Sequence, residues 1–213
     1  MMNKASIGPG RPPGLRFIFG SLPRSGRRPA IFIDRDGVIN ERIADGYVTA
    51  WDEFRFLPGI TQALAEISRL RLPMIVVSNQ AGVRRRLIRP SALGDLTRRF
   101  VGALAREGAR IDAVYYCPHA PEDGCRCRKP RPGLLLEAAR DWRLDVGHSA
   151  LIGDSARDLE AARAAGCRSV LLQAGSAPAT PPDPTLYRAL TVEGARDLPR
   201  RLAGLLGRSF TEL

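Results

Sequence analysis

No apolar run in this 213-residue chain approaches the roughly 20 residues that a bilayer crossing needs, which excludes a membrane-spanning helix. A secretory signal is also missing. "LRFIF" is too short for a hydrophobic signal core, and no small-residue cleavage site follows it. A cytoplasmic protein is the expectation. Cysteine is sparse: three of the four lie between Cys117 and Cys127, and Cys167 stands alone. That pattern argues against a disulfide framework and for a bound metal. Acidic residues are absent from 1–29, which therefore carry six of the eleven net positive charges. The same stretch is rich in Gly and Pro ("GPGRPPG") and has little with which to bury a core. It reads as a disordered basic N-terminal extension. Internal repeats are lacking, so a solenoid is not expected.

What is present, 44% hydrophobic residues over a domain-sized length, suits one globular domain at 30–213. Arginine far outnumbers lysine, a bias that GC-rich coding would produce. Apolar runs alternate with amphipathic stretches. Strands are expected at 30–34, 73–78, 111–117, 149–154 and 168–173, with "RALTV" as a short edge strand. Helices are expected at 59–72, 90–108 with Ser91 as a cap, 132–142, 155–166 ending on Gly166, and in "ARDLPRRLAGLL". Alternation of this kind means an α/β three-layer sandwich, Rossmann-like, with a parallel central sheet.

In such sheets ligands bind at the carboxyl ends of the strands. The first strand ends in Asp34-Arg35-Asp36-Gly37. Two carboxylates two residues apart can attack a phosphorus atom and handle a proton, and together they attract Mg²⁺. An isolated D-x-D is more often a surface acidic turn. The second strand ends in Ser78-Asn79-Gln80, whose hydroxyl and backbone N–H groups could bind phosphoryl oxygens or simply form a turn. Arg128 and Lys129 could grip and neutralise a phosphoryl group, or form a solvated basic turn. The fourth strand runs into Gly153-Asp154, with Asp158 one helical turn on. Asp154 suits a Mg²⁺ site and also an N-cap.

Between these motifs lies "YYCPHAPEDGCRCRKPRPG". Cys117, His119, Cys125 and Cys127 form a C-x-H…C-x-C set, which fits a closed, structural, tetrahedral Zn²⁺ site. "FIDRDGVIN", "SNQAG", "CRKPRPG" and "IGDSARDLEAARAAG" together resemble the four signature motifs of the haloacid dehalogenase superfamily of phosphatases, through about residues 30–173. With "GYV" and the cysteine cluster added, the chain resembles the branch that dephosphorylates heptose bisphosphates. The histidinol-phosphate phosphatases carry a comparable zinc loop.

The resemblance implies a Mg²⁺-dependent phosphomonoester hydrolase working through an aspartyl-phosphate. In it Asp34 would be the nucleophile and Asp36 the acid and base. Ser78 and Lys129 would hold the phosphoryl group. Mg²⁺ would rest on Asp34, the Asp36 carbonyl and Asp154, with Asp158 in support. Asp45, Gly46, Tyr47, Asn79, Gln80 and Arg128 would face a small phosphorylated metabolite. The chain departs from the motif set at 84–88 ("RRRLI"), where a small or glycine-containing run is expected. Motif spacing leaves no room for a cap domain, so the zinc loop and residues 41–52 would form the pocket rim of a monomeric enzyme. Nucleic acid and membrane are not expected as partners. The alternatives are a histidinol-phosphate phosphatase and, in another class, a zinc-dependent nucleic-acid-binding module. That module predicts salt-sensitive binding that survives Asp34→Asn, whereas the enzyme predicts that Asp34→Asn abolishes phosphate release.

Overall fold

The computed structural model describes residues 14–22, 26–173, 187–191 and 197–207. Seven strands form one sheet in the order β1-β4-β3-β2-β5-β6-β7. These are β1 (Leu15–Ile18), β2 (Ile31–Ile33), β3 (Met74–Asn79), β4 (Ala113–Cys117), β5 (Ala150–Gly153), β6 (Arg168–Gln173) and β7 (Tyr187–Thr191). Five helices connect or follow them: α1 (Ile60–Ser68), α2 (Pro90–Arg106), α3 (Gly133–Trp142), α4 (Ala156–Ala165) and α5 (Leu198–Leu205). The pairs from β4 through β7 are all parallel. The expected Rossmann-like α/β architecture is what forms.

Alternation along the strands divides the core into two layers. Ile31, Ile33, Met74, Val76, Val114 and Tyr116 face one side and pack with α1, α2 and α5. Phe32, Ile75, Val77, Tyr115 and Cys117 face the other and pack with α3 and α4. Strands β2 to β5 are buried on both faces, which explains their nearly continuous apolar sequences. β2 lies at the centre. The chain runs outward from it through β3 and β4, then returns to β5 on its other side. This makes the β2–β5 crevice the topological switch point, where open α/β sheets bind ligands.

Two differences from the sequence reading concern the start of the chain and α2. Residues 15–18 are a strand, antiparallel to β4, and not part of a structureless extension. "LRFI" alternates, with Leu15 and Phe17 turned towards the core and Arg16 and Ile18 outward. Phe17 meets the Tyr116 ring edge-on at 6.0 Å, and the Arg16 guanidinium pairs with Asp141 at 2.8 Å. A four-residue strand flanked by Gly and Pro shows no helical or strand period long enough to read. The expectation of disorder at 1–13 falls outside the described residues. α2 begins at Pro90 with Arg89 as its N-cap, so Ser91 lies inside the first turn.

Between β2 and α1 the chain makes loops and one 3₁₀ turn at Trp51–Glu53, with no inserted domain. Trp51 stacks on Phe54 at 5.4 Å, and Phe54 stacks on Phe100 of α2 at 5.5 Å. This aromatic column anchors the loop against the core. Phe100 is fully buried, so Phe100→Ala should cost about 3–5 kcal/mol, read as a lower urea midpoint at unchanged slope.

Candidate active site

Asp34 leaves β2 at the switch point, and its backbone N–H donates to the Ile152 carbonyl of β5. Its carboxylate accepts from the Arg35 N–H at 2.7 Å and pairs with the Lys129 ammonium at 2.9 Å. Lys129 is 2% exposed and has three acceptors: Asp34, Asp158 at 2.5 Å, and the Val77 carbonyl at 2.9 Å. The Val77 carbonyl takes one of the ammonium protons, and the two carboxylates face the ammonium as ion pairs. Burial alone would lower the Lys129 pKa, but Asp158 and Asp34 outweigh it and hold the group above the ordinary lysine value.

The carboxylates are crowded. Ligand oxygens of Asp34, Asp154 and Asp158 lie within 4.8 Å of one another. Burial pushes Asp34 up to about 7, with Lys129 opposing the rise and Asp158 and Asp154 adding to it. Burial likewise raises Asp154 to about 6 against the pull of Arg42. Asp158 goes the other way: Lys129, together with the Ser155 hydroxyl and N–H, overcomes burial and keeps it below the usual range. Ser155, and not Asp154, caps α4. Asp154 is therefore free of capping duty and turns towards the crevice. Gly37 lets it approach: the glycine has φ +88°, and a Cβ there would fall 1.8 Å from Asp154 Oδ2.

Asp36 points away from this cluster. Its two oxygens receive the Arg35 guanidinium at 2.8–3.1 Å, the Asn40 amide at 2.9 Å and the Gln80 amide at 2.7 Å. Burial would raise its pKa, but the Arg35 charge and these donors depress it. Arg35 is wholly buried, with its Cζ 5.8 Å from the Tyr116 ring centroid.

Around these groups opens a cleft of about 670 Å³. Asp34, Asp36, Ser78, Asn79, Arg128, Lys129 and Asp158 line its floor and walls, and Asp45, Gly46 and Tyr47 line its rim. Gln80 does not belong there. It is fully buried, and its amide binds Asp36 and the Ser78 hydroxyl at 2.7 and 3.1 Å, so it orients catalytic candidates and does not face a substrate. Asn79 divides its role, since its side chain also exchanges two hydrogen bonds with the Lys129 backbone. Sequence reasoning missed Arg42, Arg85 and Arg157 in the lining. Arg85 sits in the divergent 84–88 run, with its Cζ 5.8 Å from the Tyr47 ring centroid. The departure in sequence thus puts a cation on the rim.

A second group lies behind Lys129. Cys117 Sγ is 3.5 Å from Cys125 Sγ and 3.3 Å from Cys127 Sγ, and His119 Nδ1 is 3.2 Å from Cys127 Sγ. All four ligand atoms fall within 4.8 Å, close enough to share one metal ion. The Arg128 guanidinium donates to the His119 carbonyl at 3.1 Å, and the Arg131 guanidinium to the Cys125 carbonyl at 2.6 Å. Gly133 opens α3 hard against this loop: a Cβ would lie 2.2 Å from the Arg126 carbonyl oxygen.

Comparison with known proteins agrees with this geometry. The HAD-hydrolase-like family model matches residues 126–190. A D-glycero-beta-D-manno-heptose-1,7-bisphosphate 7-phosphatase of Bordetella bronchiseptica is 40% identical over 146 residues, covering 68% of this chain and 81% of that one. One from Photorhabdus laumondii is 35% identical over 185 residues, covering 83% and 96%. The crystal structure of the B. bronchiseptica D,D-heptose 1,7-bisphosphate phosphatase, complexed with magnesium and phosphate, aligns with TM-score 0.74 at 35% identity. It covers 83% of this chain and 98% of that one. This chain is a phosphatase, and it belongs to the HAD-like hydrolase family that these heptose-bisphosphate phosphatases represent.

Proposed function

We propose that the protein removes the 7-phosphate from D-glycero-D-manno-heptose 1,7-bisphosphate. The observation that carries the phosphatase chemistry is the buried Asp34–Lys129–Asp158 array beside Asp154 at the sheet's switch point. The choice of a bisphosphate is supported by the named relatives and by the arginines around the acidic floor. Arg42, Arg85, Arg128 and Arg157 offer sites for a second phosphate while the first meets Asp34.

The charge balance fits Mg²⁺. With Asp36 paired to Arg35, the carboxylates of Asp34, Asp154 and Asp158 face one buried ammonium, which leaves two negative charges for a divalent ion. Asp34, Asp154 and the Asp36 carbonyl would hold it, and oxygen donors are what Mg²⁺ prefers. The ion would offset the repulsion between a phosphate dianion and an attacking carboxylate. Asp34 then forms a bond to phosphorus as the bond to the sugar oxygen breaks. Lys129 orients the Asp34 oxygen, and the Ser78 hydroxyl and Lys129 hold the phosphoryl group. Asp36 donates a proton to the departing alkoxide and takes one from the water that cleaves the aspartyl-phosphate. Its five hydrogen bonds favour the ionised form, which suits the second step. A dianion arriving beside it raises its proton affinity for the first.

The cysteine cluster fits Zn²⁺. Zn–S bonds of about 2.3 Å and Zn–N bonds of about 2.0 Å at tetrahedral angles separate ligand atoms by about 3.5–3.8 Å. The observed separations of 3.2–3.5 Å need only a slight expansion. In this reading zinc is structural. It fixes residues 117–127 so that Arg128 and Lys129 enter the cleft in one orientation. Reduced thiols of this kind suit a cytoplasmic setting.

Phosphate release should be at least about tenfold more efficient (kcat/KM) from the heptose bisphosphate than from histidinol phosphate, and the reverse order would establish the alternative. Asp34→Asn should lower kcat at least about 10³-fold while leaving the thermal transition within a few degrees. Metal analysis should find one zinc per chain. Cys127→Ala should lose it and lower kcat about 10–100-fold; full activity without zinc would remove the clamp.

A further inference from the structure

Arg42 lies in the loop after Asn40, outside every motif that the family resemblance uses. Its guanidinium Nη2 stands 2.7 Å from Asp154 Oδ1 and 2.6 Å from Asp154 Oδ2, and 3.4 Å from the backbone carbonyl oxygen of Asp36. Those are two of the three groups read above as Mg²⁺ ligands, so one nitrogen bridges the place where the ion would sit. The side chain is 46% exposed and reaches in from the cleft to Asp154, whereas Lys129 pairs with Asp34 and Asp158 from inside the fold.

The geometry points to Arg42 as a built-in competitor of the metal: it neutralises Asp154 in the metal-free protein and must leave when a divalent cation binds. The inference rests on the reading of Asp34, Asp154 and the Asp36 carbonyl as the metal's ligands. Two facts make displacement feasible. The half-exposed guanidinium can rehydrate on leaving, so the pair is worth little compared with a buried one. The arm begins in a loop and not in a strand or helix, so its movement disturbs no regular element. The competition serves a purpose. Three crowded carboxylates with a single buried cation would repel one another, and Arg42 supplies one of the two missing charges until the metal arrives. The same contact raises the metal concentration that the enzyme needs. Arg42 is thus a positioning residue for the acidic site and touches no reacting atom.

The experiment is calorimetric titration of Mg²⁺ into the full-length, zinc-loaded protein freed of magnesium by dialysis. Arg42→Gln should bind Mg²⁺ about five- to tenfold more tightly than the wild type, with Arg42→Lys between them. Arg157→Gln removes the same charge from another part of the cleft wall and should change the affinity less than twofold. Thermal melts give a second readout. Without magnesium Arg42→Gln should melt below the wild type, and saturating magnesium should close the gap. Equal affinities in wild type and Arg42→Gln would overturn the role of Arg42 while leaving the metal reading intact. Equal tightening by Arg157→Gln would overturn it too, because a general field would then explain the effect. No Mg²⁺ binding by either protein, or binding that survives Asp154→Asn, would overturn the metal reading and the competitor with it.

Discussion

The ammonium of Lys129 is the constraint on which the rest of this structure depends. A lysine that is 2% exposed is tolerable only if its charge is matched and its protons are used, because an unpaired buried ion costs several kcal/mol. Here the match requires three separate parts of the chain. Asp34 comes from the end of β2, the Val77 carbonyl from β3, and Asp158 from the first turn of α4. If any of these moves by an ångström, the lysine loses a partner that water cannot replace. The ion array therefore fixes the register of the crevice as much as it serves chemistry. The backbone of Lys129 is held independently by the Asn79 side chain, and the neighbouring Arg128 side chain reaches the His119 carbonyl of the cysteine loop. The loop at 117–127 matters for the same reason: it sets where the lysine begins, and the acids set where it ends.

Asp34 and Asp36 show how two carboxylates two residues apart come to differ. Asp34 has one cation and two acidic neighbours, and burial pushes its pKa up to about 7. Asp36 has a guanidinium and two amides, which depress its pKa against burial. Neighbours, not sequence position, push the two carboxylates apart. Arg35 makes the difference. It lies between the two aspartates in sequence, yet its side chain turns inward under Tyr116 and returns to Asp36 alone.

Much of this was legible in the sequence, for a reason specific to parallel sheets. When a strand is buried on both faces, its apolar run ends where the backbone emerges, so Asp34, Ser78 and Asp154 were marked by position alone. The cysteine cluster was legible because four soft ligands in eleven residues have few other uses. The rest depended on side-chain direction. Gln80 follows Ser78 by two positions and was placed with it, but it folds back onto Asp36. β1 escaped notice because its pairing partner is almost a hundred residues away and its own four residues carry only two inward positions. Arg42, Arg85 and Arg157 were hidden by abundance: in a chain this rich in arginine, no single one stands out until the fold brings it to the cleft.

The distribution of arginines suggests where specificity resides. The floor of the cleft is built from strand ends, which the ion array and the two core layers hold rigid. Its rim is built from loops: 42–48, Arg85 in the turn after β3, and Arg128 behind the cysteine cluster. Among the described residues no domain is inserted to close over the cleft, so these loops are its only nearby rim. Their charged groups are cationic apart from Asp45, and they sit among Ile43, Ala44, Val48 and the Tyr47 ring beside Arg85. A cationic rim over an anionic floor suits the bisphosphate proposed above, which is anionic at both ends. Phosphomonoesters with one charged end would meet the floor but leave the rim solvated. They would lose the remote binding that helps to orient the reacting phosphate. The reaction is therefore encoded in the sheet and the substrate in the loops, which is why the two were unequally visible before the fold was known.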